Sequence, residues 1–175
     1  MSRIYWSILL LALSCSVVFA CDTPDETLGT YLKYDYQGDR LSYEVSTNID
    51  KLEEHSEFEP AWDVITLATA YETKSITIKD SEAVATVSYR NAWEISSNFN
   101  RESIKDEIIE VHMKKIEGCW KVVPPFYQPH VNPESAIKHF EKLLKDGRLN
   151  NLDKEYLDYT QSELNNIKRY KNAIK

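Results

Sequence analysis

DEIIEVHMKKIEGCWKVVP, running from Asp106 to Pro124, decides the fold. It reads as two strands joined by a short turn at Glu117-Gly118. On the first strand Ile109, Val111 and Met113 form one alternate set; Ile108, Glu110, His112, Lys114 and Ile116 form the other. Trp120, Val122 and Val123 follow the turn, and Pro124, with no N–H to give, ends the ladder. Period-two alternation with one apolar face predicts a half-buried antiparallel hairpin.

Upstream, Glu82 to Glu94 alternates in the same way: Ala83, Ala85, Val87, Tyr89 and Trp93 against Thr86, Ser88, Arg90 and Glu94. A turn at Lys79-Asp80-Ser81 precedes it, and Val64 to Lys79 is a further β-rich stretch. In front of these strands, Thr23-Pro24-Asp25-Glu26 starts a helix. Thr23 caps it, Pro24 suits the first position and Glu26 completes a capping box. Leu28 and Leu32 mark its apolar side, thickened by Tyr31, Tyr34 and Tyr36, and Gly38-Asp39 ends it; a second short helix is expected from Arg40 to Thr47. Behind the strands the chain runs extended from Pro124 through Pro129. Asn132-Pro133-Glu134 then starts a helix with Ile137, Phe140, Leu143 and Leu144 on one side, ended by Gly147. Asn151 caps a last helix carrying Leu152, Tyr156, Leu164, Ile167 and Ile174. The plan is α+β: N-terminal helices, a curved antiparallel sheet of at least four strands, and two extra C-terminal helices. The expected division is a leader over 1–20, an α+β domain over 21–132 and a helical extension over 133–175.

The 175 residues suit one domain once the leader is removed. The net charge of -7 becomes about -8 when Arg3 leaves with the leader, which argues against a nucleic-acid-binding face. With four glycines in the chain there is no phosphate-binding glycine loop. The acidic run from Asp50 to Pro60 lacks the turn glycine of a calcium loop and reads as a solvated loop or a short exposed helix. His130 and His139 are isolated, so no zinc site is expected, and no cofactor is implied.

Met1 to Ala20 reads as an export signal: Arg3 gives the positive start, and Ile4 to Ala20 carries no charge. Val18-Phe19-Ala20-Cys21 resembles a bacterial lipoprotein signal, in which the cysteine becomes the lipidated first residue. The resemblance implies a membrane tether on Cys21 and a cell-envelope location facing the periplasm or the outside. Cys15, after Ser14, is a second candidate. Two other outcomes stay open. Plain cleavage after Ala20 leaves a Cys21 thiol able to pair with Cys119, or Ile4 to Cys21 stays as a spanning helix.

The order of elements, with Thr23 to Leu41, Ser81 to Glu94 and Val111 to Val123 carrying the likeness, resembles the nuclear transport factor 2-like superfamily. That is the cone-shaped fold shared with ketosteroid isomerases; the cystatin fold is the nearest rival. The resemblance implies a curved sheet whose helices close a pocket, and often a dimer. It selects no activity, since such folds host enzymes and binding modules alike.

Candidate chemistry is sparse. Glu110 and His112 share one strand face, where a carboxylate can orient an imidazole for proton transfer. Lys114 shares that face, which favours a solvated surface. Tyr71, Tyr89, Trp93 and Trp120 can line an aromatic pocket or simply fill a core. Cys119 has no evident base and reads as a small buried residue. Lys168, Arg169, Lys171 and Lys175 make the last turns basic, which suits a helix C-terminus. The expected function is a non-enzymatic envelope lipoprotein whose cone binds a small apolar ligand or a protein partner, including a second copy of itself. The alternative is an acid–base enzyme of the isomerase or dehydratase type.

Overall fold

The computed structural model describes residues 22–41, 48–54, 64–96, 104–145 and 154–174. The leader, Cys15 and Cys21 lie outside these, as do most of the helix expected over Arg40 to Thr47, Gly147 and the cap at Asn151.

Helix α1 spans Pro24–Gln37. The Thr23 N–H donates to Glu26 Oε2 at 2.9 Å and the Glu26 N–H donates to Thr23 Oγ1 at 3.3 Å, so the capping box is closed. Gly38 terminates the helix at φ 85°, and a 3₁₀ turn follows at Asp39–Leu41. Strands β1 (Val64–Leu67), β2 (Ala70–Lys79), β3 (Glu82–Ser96), β4 (Lys105–Ile116), β5 (Cys119–Val123) and β6 (His130–Val131) form one sheet. Helices α2 (Pro133–Lys145) and α3 (Lys154–Ala173) complete the chain. The architecture is α+β, as the sequence predicts.

The β4–β5 hairpin turns at Glu117 and Gly118, both at positive φ, as a two-residue turn between right-twisting strands requires. Sheet order is β5-β4-β3-β1-β6, with β2 also on β3. The stretch read as one β-rich run from Val64 to Lys79 is two strands broken at Ala68-Thr69. Among the described strands the pairings are antiparallel except β1–β6, which is parallel, so the sheet is mixed.

Ala83, Ala85, Val87 and Tyr89 of β3 join Ile109, Val111 and Met113 of β4 and Val122 of β5 in a buried cluster with Leu28, Tyr31 and Leu32 of α1. The register between β3 and β4 then slips between Tyr89 and Ala92, where Asn91 adopts φ 51°. An extra residue in one strand flips its later side chains to the other face. Trp93 therefore does not share the Tyr89 face, as the alternation suggested. It joins Leu67, Ile95, Val131, Ala136, Ile167 and Tyr170 in a second cluster under α2 and α3. Tyr170 holds the slip in place: its hydroxyl donates to the Asn91 carbonyl at 2.5 Å, and its ring stacks on Trp93 at 5.4 Å.

Glu163 lies on the buried side of α3, and its Oε2 has no hydrogen-bond partner among the described residues. Burial raises its pKa, and a hydrogen bond with Asn166 only partly opposes this. A carboxyl whose folded pKa is raised binds its proton better folded than unfolded. Ionising it therefore costs stability above the folded pKa, and the cost vanishes below the unfolded value of about 4.3. Glu163→Gln should then stabilise the protein at pH 7 by about 1 kcal/mol, or roughly 2–4 °C in Tm. The gain should shrink toward zero at pH 4. Thermal unfolding at both pH values checks this, and an equal gain at both would reject it.

Candidate functional site

The polar groups inside the curved sheet come from elements far apart in the chain. Asp35 sits in the last turn of α1, on the same side as Tyr31 four residues earlier, and both are buried. The 3₁₀ turn after Gly38 brings Arg40 back over them. Its Nη1 donates to Asp35 Oδ1 at 3.3 Å and to the Tyr31 hydroxyl at 3.2 Å; its Nη2 donates to the Tyr127 carbonyl at 2.8 Å. The side chains of this ion pair are 7% and 3% exposed. Asp35 Oδ2 accepts from the backbone N–H of His130 at 3.0 Å. The pair thus grips the segment after β5 at two backbone points, Tyr127 and His130.

His130 is buried in β6 and stacks on Tyr89 with centroids 4.0 Å apart. Its Nε2 lies 3.6 Å from Glu107 Oε2, which enters from the start of β4. Two strands, β3 and β1, separate β4 from β6, and in a flat sheet that would be about 14 Å. The contact measures how far the sheet curls. Glu53 closes the network through a side-chain hydrogen bond with Tyr31. Burial raises the pKa of Tyr31, and Asp35 and Glu53 push it further up against the pull of Arg40. Burial likewise holds Tyr89 well above the usual phenol range. Both phenols stay protonated. Burial alone would lower Arg40, but the charge and hydrogen bond of Asp35 and the charge of Glu53 more than offset it.

Between this network and the apolar wall of Ile109, Val111 and Val122 lies a cavity of about 10 Å3, roofed by Pro125 to Gln128. That is room for about one water.

The residues singled out from the sequence are scattered. Glu110 is exposed and His112 partly buried, and they pair with Thr86 and Val84 of β3. Tyr89 lines the cavity. Tyr71 packs beside it at 6.2 Å and edge-on to Tyr36 at 5.1 Å. Trp120 packs at the border of the first cluster and Trp93 belongs to the second. Cys119 is partly exposed and disulfide-bonded, not a small buried thiol. Among the described residues no group of His, Cys, Asp and Glu could hold a metal ion, and no helix is long and apolar enough to cross a membrane.

Asp35, Arg40, Glu107 and His130 did not emerge from the sequence as site residues. One signal was present for Glu107: counting back by two from Met113 through Val111 and Ile109 lands on it. Asp35 likewise falls on the stripe of Leu28, Tyr31 and Leu32.

No protein-family model matches the chain, and no curated protein matches it. Among solved structures, an NTF2-like transpeptidase from Campylobacter jejuni is similar in outline. It is 13% identical, the match covers 58% of this chain and 99% of that one, and the TM-score is 0.31.

Proposed function

We propose that this is a non-enzymatic domain of the bacterial cell envelope that works by docking a protein partner on its outer surface. One observation carries the reading: among the described residues, the polar network inside the curled sheet leaves little room beside it. The Arg40 guanidinium is engaged by Asp35, Tyr31 and the Tyr127 carbonyl, and the described cavity beside it is about 10 Å3. Ligand pockets typically measure about 300–1,000 Å3, so a small apolar ligand fits only if Pro125 to Gln128 moves away. Native mass spectrometry of the exported protein should show no retained small molecule, and a stoichiometric one would overturn the reading. The acid–base enzyme stands second, on the approach of His130 to Glu107; the described cavity beside that imidazole has room for about one water.

The envelope location rests on the leader and on the disulfide at Cys119, since such bonds persist in oxidising compartments. The other cysteines are Cys15 and Cys21, and lipoprotein processing would remove Cys15 and alkylate Cys21. A lipid on Cys21 and an intrachain disulfide at Cys119 therefore exclude each other. Intact mass of the non-reduced mature protein should show either a diacylglyceryl addition or the loss of two hydrogens. A mature chain with neither would reject both fates of Cys21.

A further inference from the structure

Three edges of the sheet differ in what they offer a partner. On β5, the outer edge is taken: the Val122 N–H donates to the Leu52 carbonyl at 2.7 Å and the Glu54 N–H donates to the Val122 carbonyl at 2.8 Å. At the other end β6 is two residues long. Strand β2 is ten residues long and, among the described residues, pairs only with β3. Every residue from Glu72 to Lys79 is exposed except Ile76, which is partly buried. Ile78, opposite buried Ala83, is 53% exposed. An open edge with an unfilled apolar side chain is a template for another strand.

The near half of β2 is defended. Its pairing with β3 slips between Thr73 and Ser75, leaving Lys74 as the extra residue, and bulges with lysines deter edge pairing. Beyond the slip, Ser75 to Lys79 is regular for five residues.

We propose that this stretch pairs antiparallel with the same stretch of a second copy of the chain, about a two-fold axis at Thr77. The proposal rests on the reading of the protein as one that docks a protein partner and names that partner. In this register Ile76 lies opposite the partner's Ile78 and the partner's Ile76 opposite Ile78, so four isoleucines meet on one face. Ser75 lies opposite the partner's Lys79, and Lys74 opposite the partner's Asp80. No like charges face each other, which is what directly opposed positions require. A shift by one residue would put Ile76 opposite the partner's Thr77, whose side chain belongs to the other face, and lose the cluster. An isologous contact of this kind closes on itself and does not propagate through β2.

Two measurements on the exported protein test it. Sedimentation velocity over a concentration series should show mass rising toward twice the monomer, and Ile78→Lys should weaken the association at least tenfold. That site is exposed, so the fold survives the change. Thr77→Cys places two sulfurs on the axis, where opposed Cα atoms lie about 4.5–5.5 Å apart and a disulfide can form. It should give a covalent dimer at least tenfold faster than Thr73→Cys on the same edge. Equal cross-linking, or association unaffected by Ile78→Lys, overturns the proposal. If the chain is monomeric yet carries another envelope protein at a defined surface, this inference falls and the docking function stands. If it carries a stoichiometric small ligand instead, the docking function falls as well.

Discussion

Arg40→Ala should cost about 3–5 kcal/mol of unfolding free energy, seen as a lower urea midpoint with unchanged slope. The reason is what it leaves behind. Asp35 is 3% exposed at its side chain, and its charge would remain in the interior without the guanidinium facing it. The Tyr31 hydroxyl and the Tyr127 carbonyl would each lose a donor. Asp35→Asn alone should also destabilise, because Arg40 then carries the unmatched charge. The double variant Arg40→Met with Asp35→Asn should recover a large part of either loss, since a buried pair is often replaceable by uncharged groups of similar size. A double-mutant cycle with a coupling of about 3 kcal/mol or more, at least as large as the greater single loss, is the expected result. Strictly additive losses would show that the two side chains act separately. Hydrogen exchange supplies a local readout: the amide of His130, which donates to Asp35, should lose protection in every variant that removes the carboxylate.

The difference between what could and could not be read from the chain has a physical origin. The hairpin from Lys105 to Val123 was legible because each inward position carries a large apolar side chain for three steps running. Charge breaks that legibility. Glu107 continues the inward series, but a glutamate at a strand end is ordinarily solvated, and only the curl of the sheet puts His130 within 3.6 Å of it. Asp35 and Arg40 are five residues apart across a helix end, and nothing local says that the turn at Gly38 folds one back onto the other. The slip at Asn91 is harder still. A residue other than glycine at φ 51° leaves no signature in the alternation, and its anchor, Tyr170, is 79 residues away. Strand β6 is too short for any period to show. Glu110 and His112 were placed by the alternation on the face opposite Ile109 and Val111, and that is where the register holds them. The face they share is not the one that meets α1. Sequence periodicity thus reports which face a residue takes within one element; which distant elements meet there depends on curvature and bulges.

The same interior yields the second large effect. Tyr89→Ala should cost about 3–5 kcal/mol, the range for removing a fully buried aromatic side chain. Tyr89 is 1% exposed, stacks on His130 and touches Tyr71, so its removal strips a ring from the middle of the core. Tyr89→Phe keeps that ring and should cost far less, about 1 kcal/mol or below. The contrast separates ring packing from the hydroxyl. The Ala variant also turns the docking reading into a direct test of the cone. It opens a ring-sized void bounded by Ile109 and Val111 on one side and by His130, Asp35 and Arg40 on the other, and phenol brings both a ring and a hydroxyl to such a space. Millimolar phenol should raise the Tm of Tyr89→Ala and leave the wild type unchanged, because only the variant has room for it. If phenol stabilises both proteins equally, the native cone already accepts an aromatic guest. The Pro125 to Gln128 segment must then move aside in solution, and the small-ligand reading displaces the docking one.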